Sequence, residues 1–65
     1  MNSVVIRFDL PSGEVLYAGE RGEWCDKERD AAHFDKLGEA NLYLSLNFGH
    51  SAKYGVIVTT EEVTA

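Results

Sequence analysis

Between Val4 and Leu10 the chain alternates, with Val4, Ile6, Phe8 and Leu10 on one side of an extended backbone and Val5, Arg7 and Asp9 on the other. A period of two predicts a strand with one buried face. Leu10, Pro11, Ser12 and Gly13 follow. Pro11 presets φ and Gly13 tolerates positive φ, which is the chemistry of a short hairpin turn, so Glu14 to Ala18 is expected to return as a second strand. Gly19, Glu20, Arg21 and Gly22 form a polar break. The segment beyond it mixes charge with scattered apolar residues, and its first half reads as a loop or one loose helical turn.

Two readings compete for residues 35–49. In the first, Asp35 caps a helix whose apolar positions Leu37, Ala40, Leu44 and Phe48 recur at helical spacing, and Gly49 closes it as a left-handed C-terminal residue. In the second, a helix around residues 26–37 precedes a strand at 41–48. Leu42, Leu44, Leu46 and Phe48 alternate with Tyr43, Ser45 and Asn47, and Gly38 weakens a first helical turn by about 1 kcal/mol relative to Ala. The two stand side by side, the first taken as the working one. Tyr54 to Thr60 is rich in β-branched residues and lies between a Gly49-His50-Ser51 break and Glu61-Glu62, so it reads as the last strand. Either way the fold class is α+β: an N-terminal hairpin and a C-terminal strand in a small antiparallel sheet with one helix, ββαβ-like, spanning residues 1–65 as a single acidic domain.

Size limits what such a domain can do. A chain of 65 residues buries only about 60% of the surface its unfolded form exposes, and a core that small rarely supplies more than about 3–5 kcal/mol. Little stability remains to hold a strained catalytic cleft, so an enzyme is not expected. Cys25 is the only cysteine and makes no internal disulfide, which favours a reducing cytoplasm. Arg7 interrupts the N-terminal apolar run, and no stretch approaches the roughly eighteen apolar residues of a membrane span, so neither export signal nor membrane partner is expected.

Eleven acids against six bases give a net charge of −5, and the excess is local: residues 9–39 hold nine of the acids and four of the bases. Nucleic acid is a poor direct partner for that surface, because binding to it rests on Lys and Arg displacing counterions from phosphate. A basic protein is the expected partner.

Catalytic and metal chemistry is thinly provided. Cys25 with His33 or His50 would supply a nucleophile and a base, but Glu23, Asp26 and Glu28 beside the thiol disfavour thiolate. Cys25, His33, Asp35 and His50 lack the paired spacings of a zinc site. Asp26, Glu28 and Asp30 imitate the start of a calcium loop, yet Ala31 stands where its glycine belongs and Leu37 where its closing glutamate belongs. The glycines of GERGEW are not followed by the Lys of a phosphate loop. No catalytic residue, cofactor or metal is therefore assigned. The expected partner-binding set is Glu20, Glu23, Asp26, Glu28 and Asp30, with Trp24 among them either as an anchor of the small core or as an interface hot spot. Tyr43 and Tyr54 are expected to pack in the core.

The order of a hairpin, then DAAHFDKLGEA, then YGVIVTTEEV resembles small proteins of phages and mobile elements, on the strength of Ala32, Phe34, Asp35, Glu39 and Ala40. Over its full length the chain also resembles the compact acidic anti-CRISPR proteins, in particular inhibitors of type I systems such as subtype I-C. These proteins share no common motif, so the resemblance is one of kind. It implies a non-enzymatic inhibitor in the bacterial host cytoplasm, acting as a single copy. Its partner would be a Cas subunit of the crRNA-guided surveillance complex that grips target DNA through lysines and arginines. Acids of the set above would then stand where DNA phosphates stand. The classes left beside it are another phage-encoded antagonist, such as an anti-restriction protein or a nuclease or polymerase inhibitor, and a small homodimeric accessory protein joined at a sheet edge.

Overall fold

The computed structural model describes residues 2–49 and 55–64. Strands β1 (Asn2–Asp9), β2 (Val15–Ala18) and β3 (Trp24–Cys25) are followed by a 3₁₀ turn at Glu28–Asp30, helix α1 (Leu37–Phe48) and strand β4 (Ile57–Thr64). All the strands pair antiparallel in the order β3-β2-β1-β4, so the α+β class expected from the patterning is the one observed.

The chain is organised around β1. β4 pairs with its whole length, from Asn2 opposite Thr64 to Asp9 opposite Ile57. On its other edge β2 pairs only with Arg7, Phe8 and Asp9. Buried backbone amides and carbonyls need partners, and the segment after the 3₁₀ turn supplies one farther down. Val4 and Phe34 exchange N–H to carbonyl bonds of 2.8 and 2.9 Å, while Ala32 N–H donates to the Ala18 carbonyl at 2.8 Å.

Residues directly opposite in an antiparallel ladder share a face. The inner face carries Ile6, Phe8, Leu16, Ala18, Trp24 and Val58, and α1 covers it. Ile6, Phe8 and Ala18 form one cluster with Ala40 and Phe48 of the helix and with Val56, and Phe34, Tyr43 and Leu44 pack at its margin. Phe8 is its centre. The Trp24 ring stacks on it at 5.2 Å between centroids and 14° between planes, and Phe48 meets it at 5.0 Å while lying 6.3 Å from the indole, so the three rings form a triangle.

Several local expectations need correction. The helix begins at Leu37 with extended Lys36 as its N-cap, and no side chain caps it; Asp35 lies one residue too early. Gly49 ends the helix in a right-handed conformation, φ −60°, so its requirement is one of space: a Cβ there would stand 2.9 Å from the Ser45 carbonyl oxygen. Gly13 does take positive φ, +93°, in a turn closed by bonds between Leu10 and Glu14 and between Gly13 and Leu10. Leu37 is largely exposed, and Val5, patterned for the polar face, is completely buried. Of the two readings of residues 41–48, the helix holds. The expected loop contains the two-residue β3 as well as the single helical turn. β4 starts later than expected and runs through Glu61 and Glu62, because the register with full-length β1 continues to Thr64. Tyr54 and His50 lie outside the described residues.

Replacing Phe8 with Ala removes the centre of the aromatic stack. The expected cost is about 3–5 kcal/mol, comparable with the whole stability available to a domain this small. Urea unfolding followed by Trp24 fluorescence should show a chain largely unfolded without denaturant.

Candidate acidic interface

The acids singled out in the sequence surround one end of the sheet. Glu20 and Glu23 lie in the turn joining β2 to the edge strand β3, and Asp26, Glu28 and Asp30 lie in the stretch that leaves it. Glu20, Glu23, Asp26 and Asp30 are exposed and Glu28 is half-buried. Among the described residues the ion pairs are Arg7 with Asp9, at 3.0 Å, and Arg7 with Glu61, at 3.6 Å. None of the five acids belongs to either. Arg21, Lys27 and Arg29 are interleaved with them in the chain, yet none of these bases closes an ion pair with them among the described residues.

This edge is held in place by contacts that use little of its acidic chemistry. Tyr43 reaches from α1 to the β2–β3 turn, where its hydroxyl donates to the Gly19 carbonyl and accepts the Gly22 N–H at 2.8 Å. Phe34 and Phe48 pack against its ring. Glu23 is the exception among the acids. Its carboxylate folds over Gly19 and accepts the Arg21 N–H at 2.8 Å, and backbone amides of Arg21 and of Glu23 itself draw its pKa below the usual glutamate range. Glu23 thus fastens its own turn.

Trp24 packs in the core and also reaches the surface. One face of the indole stacks on Phe8, with Phe48 nearby at 6.3 Å, and 40% of the residue remains exposed. An interface anchor binds best when it loses no freedom on docking, and this ring is already fixed.

The next residue, Cys25, turns to the outer sheet face beside Tyr17. Its Sγ lies 3.5 Å from the Tyr17 carbonyl and 3.6 Å from that of Lys27. Burial first and then Asp30 push the thiol up in pKa; the Lys27 backbone opposes them, and Glu23 and Asp26 add smaller upward effects. The Tyr17 phenol is also raised, by burial and then by Glu61 and Glu28. Acids from the β3 end, from β1 and from β4 therefore act on a single row of the outer face. Glu61 and Asp9 were missed in the sequence. Alternation places Asp9 on that face, but only the β1–β4 register brings Glu61 across from Val5.

The structure separates Cys25 from His33. The imidazole Nδ1 is bonded to Ser3 Oγ at 2.8 Å, near the start of β1, whereas Cys25 stands in the row of Tyr17 and Arg7. Four residues along a strand are roughly 13 Å, too far for the histidine to take the thiol proton. Among the described residues no three His, Cys, Asp or Glu side chains are grouped to hold a metal ion, and no helix is long and apolar enough to cross a membrane. In comparisons with known proteins, the chain matches no family model, no curated protein and no solved structure.

Two measurements test this geometry. Tyr43→Phe removes both bonds to the turn and should lower stability by about 1–3 kcal/mol in urea unfolding, with the amides of Gly19 and Gly22 shifting most in NMR spectra. Asp30→Asn should bring the Cys25 thiol back toward its ordinary range and speed its alkylation by iodoacetamide at mildly alkaline pH. The sign of the pH effect on folding follows from the same shift. The folded thiol holds its proton more tightly than the unfolded one, so stability should fall as pH rises past about 8.5, where the unfolded thiol ionises.

Proposed function

We propose that this protein is a non-enzymatic inhibitor of the anti-CRISPR kind. In the host cytoplasm it binds a basic, DNA-gripping surface of a Cas subunit in a type I surveillance complex and keeps target DNA from that surface. The observation that supports the reading most is the state of the acids around β3. Five carboxylates flank one edge strand, outnumbering the interleaved Arg21, Lys27 and Arg29 and none of them in an ion pair among the described residues, while Arg7 is taken up by Asp9 and Glu61. Duplex DNA carries one negative charge per roughly 1.7 Å of its axis, and lysines and arginines set to neutralise it attract any comparably dense row of carboxylates.

In this reading Glu20, Asp26, Glu28 and Asp30 stand for phosphates. Trp24 provides a packed apolar contact among them, and Glu23 shapes the turn. A surface of this kind acts largely by long-range attraction, which salt screens over about 8 Å at physiological ionic strength.

The test is a fourfold variant, Glu20→Lys, Asp26→Lys, Glu28→Lys and Asp30→Lys, that leaves Glu23 and the core intact. Glu20, Asp26 and Asp30 are exposed and Glu28 is half-buried, and none is in an ion pair among the described residues; such acids contribute little to stability, so its circular dichroism should match the parent. Its block of DNA binding by a purified type I complex should be lost, and the parent's own block should weaken as salt is raised. Undiminished inhibition by the variant would end the phosphate-imitation idea. Plaque assays on hosts with different CRISPR subtypes read the target directly. Phage protection confined to one type I subtype supports the proposal, and protection only against a restriction system or another nuclease assigns the same acidic edge to a different antagonist.

A further inference from the structure

At the end of the sheet opposite the acids, β4 is the outermost strand, and among the described residues nothing pairs with its far edge. Its eight residues, IVTTEEVT, include no Pro, Gly or Lys, the residues that commonly blunt an exposed edge. Its only charges are Glu61 and Glu62, and both are drawn back toward β1: Glu61 lies 3.6 Å from Arg7, and Glu62 accepts a bond from the Asn2 side-chain amide. Ile57, near one end of the strand, is 66% exposed. The edge is extended and β-branched, and both of its carboxylates are engaged by side chains of β1.

We propose that this edge pairs antiparallel with β4 of a second copy of the chain, about a twofold axis through Thr60, to form one continuous sheet. Symmetry and the pleat narrow the register sharply. Residues opposite one another must share a face, so a symmetric pair centres on a residue and not between two. Centring on Thr60 sets Val63 opposite Ile57 of the second copy, Glu61 opposite Thr59 and Glu62 opposite Val58. The most exposed apolar side chain of the strand is then covered by an apolar partner. Centring on Glu61 or Glu62 sets identical carboxylates face to face, which is repulsive, and centring on Thr59 leaves Val63 beyond the paired region.

Charge selects this edge over the other. Each chain carries −5, so two copies repel wherever their free acids meet. The acids around β3 stand three strand spacings from β4, about 14 Å, beyond the roughly 8 Å screening length of physiological salt. The pairing differs from the single acting copy expected of the sequence, and it does not depend on the identity of the basic partner.

Sedimentation equilibrium at submillimolar protein tests it. The parent should form a dimer that tightens with added salt. Thr59 is exposed and faces Glu61 of the second copy, so Thr59→Lys should tighten the dimer and Thr59→Glu should loosen it, each by about tenfold. Circular dichroism of each variant checks that the monomer is folded. In a Cys25→Ala background, Thr60→Cys should oxidise to a covalent dimer, since the introduced thiols meet at the axis, while Glu62→Cys should not. A chain that stays monomeric at every concentration and salt, or a dimer that responds alike to both Thr59 variants, overturns the proposal. Crosslinking through Glu62→Cys in place of Thr60→Cys overturns the register.

Discussion

The fold depends on the mutual packing of Phe8, Trp24 and Phe48. Phe8 belongs to the central strand, Trp24 to an edge strand of only two residues, and Phe48 to the last turn of the helix, so one aromatic contact joins three elements that are remote in sequence. A two-residue strand has almost no pairing energy of its own. Without the indole seated on Phe8, β3 would have little to hold it beside β2, and the acids on either side of it would have no fixed place. The anionic edge is thus a consequence of core packing as much as of composition.

A second constraint acts on the backbone of β1. It is flanked on one side by β4 along its length and on the other by β2 at Arg7, Phe8 and Asp9 and by Phe34 at Val4. Val5 illustrates the result. It points to the face that alternation marks as polar, yet it is completely buried, and Ala31 and Ala32 of the returning segment are buried as well. Two short strands and a loop thereby do for β1 what a larger domain would do with a second layer.

How much of this the sequence disclosed varies with the range of the interactions concerned. The hairpin was legible because alternation from Val4 to Leu10 and the Pro11–Gly13 turn are local signals, and the helix was legible in the spacing of Ala40, Leu44 and Phe48. Its start was not, because Asp35 carries the right chemistry at a position the backbone does not use as a cap. The extent of β4 and the placement of Glu61 were not legible either, since both follow from register with β1, and register is set by pairing across more than fifty residues of chain. Trp24 shows the same limit: it lies in an acidic stretch of sequence, while its neighbours in space are Phe8 and Phe48. The acids themselves were plain in the sequence, as were Arg21, Lys27 and Arg29 among them, but that no ion pair joins the two sets among the described residues became visible only in the structure.

The stretch from Glu20 to Asp30 touches the interior mainly through one indole and a few main-chain bonds. Most of its other side chains can be exchanged at small cost to folding. A lineage carrying this domain therefore has unusual mutational latitude on this rim: the pattern of charge there can drift to follow a changing counterpart while the scaffold beneath it stays fixed.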